Sequence, residues 1–346
     1  MAPVCDAFVG TRVSIERALV CSGAGQFPVL VRDARGLAIA LRSGGGHYGL
    51  DGTLATTFSD DGGATWSAPI DALPRGADVR NPAFGVARDG RWLLAYWRAG
   101  QRCYPGGAWK LPVTERCDPD AFVIASGDRG TTWSEPVAIA TARLAWASPY
   151  GRIVHAPDGA LLMAAYGPSL GATPGAFDAI VLRSRDDGAT WDDESLVLAG
   201  ASELALCFAT PELLVGAVRR AAGDVAIVHS PDVGRSWSTP IAATRVDEHP
   251  ADLCMVGDAL VMTFGRRVRP LGCGAKTSRD SGASWSDREV VLAGDGIGND
   301  VGYPSTVQLA GGSLATAIYF ARGSGVDGWG ELSCQLLRYD CELVAP

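Results

Sequence analysis

The octapeptide SDDGGATW (Ser59–Trp66) is written four more times along the chain: SGDRGTTW (Ser126–Trp133), SRDDGATW (Ser184–Trp191), SPDVGRSW (Ser230–Trp237) and SRDSGASW (Ser278–Trp285). All five follow Ser-x-Asp-x-Gly-x-Thr/Ser-Trp. Their aspartates, Asp61, Asp128, Asp186, Asp232 and Asp280, lie 67, 58, 46 and 48 residues apart. That period is too long for a hairpin and suits one four-stranded propeller blade with its loops.

Each octapeptide sits in a larger repeating unit. A short apolar run opens at or near a proline, as in QFPVLV, RNPAFGV, SPYGRIV, EHPADLCMV and GYPSTVQL. A Gly or Asp turn follows, then a second apolar run such as GLAIALR, RWLLAYWR or LLVGAVRR. A third run leads into the octapeptide and a fourth leaves it. Short β-rich runs between turn residues, with no helical period, predict an all-β chain. First strands open at Pro28, Pro82, Pro149, about Glu203, Pro250 and Pro304, which makes six units. The sixth has no octapeptide, and SIERALV (Ser14–Val20) stands where its missing outer strand would be. The expectation is one domain, residues 1–346: a six-bladed β-propeller of four-stranded antiparallel blades, closed by the N-terminal strand completing the last blade. Closure removes long open sheet edges.

On that plan the octapeptides fall at the turn between third and fourth strands. Their Ser and Asp bond nearby backbone, their Gly supplies a conformation closed to other residues, and their Trp fills the space between blades. They are read as structural, because antiparallel strands put them at the end opposite the first-strand starts. Those starts and the ends of the second strands should gather at one mouth of the central channel. Residues placed there are Gln26, Arg80, Glu203, Glu248, His249 and Tyr303, with Arg98, Arg219, Arg220, Arg266 and Arg267. The loop RSGGGHYGLDG adds His47 and Asp51, and Asp252 in EHPAD is a further candidate.

The chain is 47% hydrophobic with a net charge of -8, so it can build a core and offers no broad nucleic-acid surface. No apolar run approaches a membrane span. No leader is visible at the first residues, so the expected location is cytoplasmic, or secreted if a signal was trimmed. The nine cysteines lack metal or redox spacing and read as buried thiols, although Cys103 and Cys117 bracket one loop and could pair.

Repeated Asp boxes on a six-unit plan resemble the sialidase (neuraminidase) superfamily. The resemblance implies a glycoside hydrolase with a Tyr nucleophile and a retaining mechanism, acting at a terminal, acidic sugar. GYPSTVQL places Tyr303 at the nucleophile position, with Pro304 where Ser is usual. ASELALC places Glu203 where the family's Glu helps deprotonate that Tyr. The acid/base position falls on Asp51 or His47, according to the direction of counting. Of the three arginines that clamp the substrate carboxylate, Arg219 or Arg220 matches the second, and Arg266, Arg267 or Arg269 the third. The first departs: Gln26-Phe27-Pro28 stands for Arg-Ile-Pro, with Arg80 one unit along as a substitute. The resemblance implies a carbohydrate partner and no cofactor or metal. Two other readings stay open: a non-catalytic carbohydrate-binding propeller, and a uronate lyase on the same scaffold.

Overall fold

A computed structural model describes residues 14–44, 46–99, 103–104, 120–171, 176–321 and 332–344. The fold is all-β and propeller-like, built from four-stranded antiparallel units. Four units are separate sheets. The first runs Ala24–Arg32, Leu37–Ser43, Thr53–Ser59 and Ile70–Asp71. The fourth runs Ala201–Thr210, Leu213–Arg220, Val225–Ser230 and Ile241–Ala242. The fifth runs Glu248–Val256, Ala259–Arg266, Leu271–Ser278 and Val290–Gly296. The last joins Val301–Gln308, Leu314–Phe320 and Ser333–Tyr339 to the N-terminal strand Glu16–Ser22, which pairs antiparallel with Ser333–Tyr339.

The second and third units differ from the expectation of separate blades. Asp78–Val86, Trp92–Ala99, Ala121–Ser126 and Val137–Ala138 share one eight-stranded sheet with Ser148–His155, Leu161–Pro168, Phe177–Ser184 and Asp193–Ala199. The join is a short parallel pairing of Gly151 with Ala83 and Arg152 with Phe84. First strands converge near the axis, and a register shift between Tyr150 and Val154 frees Gly151 and Arg152 from their own hairpin partner. Their backbone groups are therefore available to the neighbouring strand.

Apolar residues point from both faces of each unit into the space shared with the next. Val29, Ala38 and Leu54 of the first unit pack on Phe84, Trp92 and Leu94 of the second. Ala315, Ala317 and Leu336 of the last pack on Leu30, Ile39 and Leu41 of the first, so the core runs round a closed ring. This explains why the second strands read as unbroken apolar runs rather than alternating ones. Seven cysteines belong to the described residues; Cys5 and Cys117 do not, so the Cys103–Cys117 pairing lies outside them.

The octapeptides close the turns at the far end of the third strands. In the first, Ser59 Oγ donates to Asp61 Oδ1 (2.7 Å) and accepts from Gly63 N (2.8 Å), while Thr65 N and Oγ1 donate to the two Asp61 oxygens (2.9 and 2.6 Å). The same bonds recur around Asp128, Asp186, Asp232 and Asp280. The glycine at Gly63 has φ of +88°, and a Cβ there would stand 2.2 Å from Leu336. Conformation and space both demand glycine.

Hydrogen bonds from Thr132 and Ser126 hold the Asp128 carboxyl at about 2, and those from Ser284 and Ser278 do the same for Asp280. Unfolded aspartate titrates near ~3.9. A depressed folded value gives stability that is complete above the unfolded pKa and lost as pH falls through the folded one. The contribution of these carboxylates to the thermal midpoint should therefore be constant above about pH 5 and fall away between about pH 4 and 2. Asp280→Asn should fall less steeply over that window; a decline parallel to the wild type would exclude the box carboxylate as a source.

Candidate active site

Every first strand carries a register shift near its start: Gln26/Val29, Arg80/Ala83, Tyr150/Val154, Ala201/Leu204, Glu248/Ala251 and Gly302/Ser305. Such bulges re-aim side chains. At Phe27, Asn81 and Tyr303, each just before a proline, the backbone turns left-handed (φ +55°, +47° and +49°). Aromatic residues rarely adopt that region, and strain of this kind collects at functional sites. All three side chains line one cleft of about 690 Å³.

Tyr303 and Glu203 meet in this cleft although they lie 100 residues apart: the phenol donates to Glu203 Oε1 at 2.8 Å. Ser202 Oγ donates to Glu203 Oε2 (2.6 Å), and Arg219 Nη1 reaches Oε1 at 3.2 Å. Burial alone would raise the Glu203 carboxyl, yet the Arg219 charge and these hydrogen bonds hold it down at about 2. Burial, reinforced by the Glu203 charge, pushes the Tyr303 phenol well above its ordinary value. The resting pair is thus a carboxylate and a neutral phenol. The Arg267 guanidinium lies 5.6 Å from the Tyr303 ring centre, and its Nη1 donates to His249 Nδ1 (3.0 Å). Burial, then Arg267 and Arg219, push His249 down to about 3, so it stays a neutral acceptor that holds Arg267.

Arg80 forms another wall. Its guanidinium lies over the Tyr48 ring at 4.2 Å and 3.7 Å from Asp78. Trp146 stacks on Trp97 (4.4 Å, 12°) beside Phe177 and Tyr166, which gives an aromatic face suited to a sugar ring. Arg220 also lines the cleft, with its Nε on Asp224 Oδ1 (3.0 Å).

The loop after Leu37–Ser43 separates the two acid/base candidates. His47 lines the cleft, and its Nδ1 lies 3.0 Å from Asp300 Oδ1. Asp51 is exposed and is not among the cleft-lining residues; its carbonyl instead accepts from Arg75. Two other sequence candidates also lie elsewhere. Arg98 is exposed and packs over Phe122 (4.9 Å). Asp252 is buried below Tyr303, bonded to Arg152 Nη2 (3.1 Å) and Thr306 N (2.6 Å), where it braces the first strands. Both were placed by position along a strand, which does not say towards which face a side chain turns. Asp300, Trp146 and Phe177 were not anticipated. Asp300 lies three residues before Tyr303 in GNDVGY, an acid beside the candidate nucleophile and the only hint available. Among the described residues no three His, Cys, Asp or Glu side chains cluster as a metal site requires.

The BNR repeat-like domain family matches residues 103–316, which includes four of the five octapeptides. The chain belongs to that family. No curated protein matches it in sequence. Among solved structures, a Dyadobacter fermentans protein of unknown function is similar at 21% identity and TM-score 0.76, covering 94% of this chain and 99% of its own. The Hadza microbial sialidase Hz136 has 18% identity and TM-score 0.71, with 93% and 67% covered. Trypanosoma rangeli sialidase with the inhibitor DANA has 16% identity and TM-score 0.66; 96% of this chain but only 57% of that one is covered. These likenesses establish a sialidase-like fold.

Gln26, read from the sequence as standing in place of an expected arginine, has a different task in this BNR repeat-like chain. In the amide orientation that satisfies both partners, its nitrogen donates to Gly46 O (3.0 Å) and its oxygen accepts from His47 N (3.1 Å). Gln26 is buried and pins the loop that carries His47.

Proposed function

We propose that this protein is a retaining, exo-acting glycoside hydrolase for a terminal sugar that bears a carboxylate. The observation that carries the proposal is the 2.8 Å hydrogen bond from Tyr303 to Glu203, flanked by Arg219 and Arg267. Tyr303 Oη attacks the anomeric carbon while its proton passes to Glu203. The glycosidic C–O bond breaks, and His47 gives its Nε2 proton to the leaving oxygen. Water, deprotonated by the same nitrogen, then cleaves the tyrosyl–sugar bond while Glu203 returns its proton to the departing Tyr303 oxygen, and two inversions give net retention. The phenol is not ionised at rest. Its proton moves only as the new bond forms, with the Arg219 and Arg267 charges stabilising the oxygen. Arg267 lines the cleft, and its guanidinium is a charged donor suited to an incoming carboxylate.

Our reading of the scaffold is a single six-bladed domain, with the eight-stranded sheet as two blades joined near the axis. Apolar cores between all successive units and between the last and first support it. Gln26 supports widening the substrate class beyond sialic acid to other acidic sugars, because only two of the three expected guanidinium positions are filled.

The test is a panel of terminal acidic-sugar glycosides, sialosides and uronides, followed by proton NMR of the freshly released anomer. Retention at first turnover supports the proposal, and inversion removes it. Binding without turnover would favour a lectin-like role, and absorbance from a new C=C bond would favour a lyase. On a turned-over substrate His47→Ala should lose at least about 100-fold in kcat, as removal of a general acid does. Asp51→Ala should stay within about threefold, since solvated residues outside the cleft contribute little. The reverse order would reassign the acid to Asp51.

A further inference from the structure

We propose that Asp300 is the positioning residue of the acid/base: by accepting from His47 Nδ1 it selects the tautomer that presents Nε2 to the cleft. This deepens the hydrolase reading and rests on it for the kinetic consequences, but not for the tautomer. Four residues hold the imidazole, its partner carboxylate and its backbone in place. Asp300 Oδ1 lies 3.0 Å from His47 Nδ1. The same oxygen accepts from the buried Tyr319 hydroxyl at 2.5 Å, which fixes the carboxylate from behind. The Phe27 ring meets the imidazole edge-on at 5.1 Å and meets Tyr303 at 4.8 Å, so one aromatic spacer separates the candidate acid from the candidate nucleophile. Gln26 holds the His47 backbone.

A histidine has two nitrogens, and the hydrogen bond made by one decides what the other can do. A carboxylate accepts and cannot donate, so opposite Asp300 the Nδ1 position must carry hydrogen. Nε2 is then an acceptor when the ring is neutral and a donor when it is protonated, the two states an acid/base must alternate between. Burial would raise the Asp300 carboxyl, but the hydrogen bonds from His47 and Tyr319 hold it below its ordinary value, so it remains an acceptor. Asp300 takes no proton in the cycle; it orients the ring and stabilises the imidazolium. The arrangement also accounts for Asp51 standing away from the cleft: the proton carrier in this loop is an imidazole with a carboxylate behind it, instead of a carboxylate alone.

Two measurements on the full chain test this. In the first, long-range proton–nitrogen NMR of nitrogen-15 histidine-labelled wild type, with His47→Ala for assignment, should show the Nδ1–H tautomer at His47. Asp300→Ala should convert it to the Nε2–H form. A wild-type Nε2–H tautomer would overturn the proposal regardless of any activity, and regardless of whether the variant folds. In the second, kcat/KM is compared for methyl and 4-nitrophenyl α-N-acetylneuraminides, whose leaving groups do and do not need protonation. Asp300→Ala should lose at least about 100-fold on the methyl glycoside and less than about fivefold on the aryl one. Equal losses on both would mean a merely structural role and would overturn the assignment. If wild type cleaves neither glycoside, sialoside hydrolysis fails and the tautomer alone decides for or against Asp300.

Discussion

Tyr303→Phe should lower kcat by at least about 1,000-fold on any glycoside the wild type turns over, because losing a nucleophile removes the step that every other group assists. KM should move far less. The substitution deletes one oxygen and keeps the ring, and the ring is what packs: Phe27, Tyr319 and Tyr150 surround it at 4.8, 5.9 and 6.1 Å. Glu203 loses one donor but keeps Ser202 and Arg219. The cost to stability should therefore stay within about 2 kcal/mol, the range of one hydrogen bond to a charged group. Initial rates with a fluorogenic sialoside or uronide, alongside the thermal midpoint, separate the two effects. A variant with nearly full activity would take Tyr303 out of the nucleophile's role and leave the cleft as a binding site.

The architecture was legible because it is written periodically. Five octapeptides fix where third strands end, and the prolines at Pro28, Pro82, Pro250 and Pro304 mark where first strands begin. The pairing of Glu16–Ser22 with Ser333–Tyr339 followed from the need to finish the last unit. Tyr303, Glu203, Arg219 and Arg267 were reachable by the same logic, since position along a first or second strand sets which end of the ring a residue occupies. The fusion of the second and third units was not legible, because it depends on a local bulge that leaves backbone groups of Gly151 and Arg152 unpaired in their own hairpin. Loop residues were the other gap. Asp51 and His47 are equally plausible in a string of letters, and only the fold of the loop turns one inward and the other to solvent. Asp300 was hidden for the same reason: its partner lies 253 residues away, and nothing in GNDVGY announces a histidine.

That loop also explains where the second large effect should lie. Arg42 and Asp78 form an ion pair at 2.6 Å with both side chains at 0% exposure. Arg42 stands near the end of the strand Leu37–Ser43 and is sealed beneath the loop. It donates to Gly46 O (2.8 Å), Gly49 O (3.2 Å) and Val79 O (2.5 Å). The fit requires Gly52, where a Cβ would stand 2.0 Å from the guanidinium. Asp78 also accepts from Tyr104 and faces Arg80 at 3.7 Å. Asp78→Asn keeps the shape and removes the charge, leaving a buried cation without its counter-ion. Breaking a buried pair in this way costs about 3–5 kcal/mol, which at this chain length should lower the thermal midpoint by about 4–7 °C. The same change should loosen the segment from Gly46 to Gly49, and with it His47 and the Tyr48–Arg80 stack. Activity measured well below the new midpoint should then fall more on substrates that need a proton donor than on those that do not. A midpoint shift under about 2 °C would mean that Arg80 and the loop carbonyls stabilise Arg42 without Asp78, and that the ion pair is not what holds the loop over the cleft.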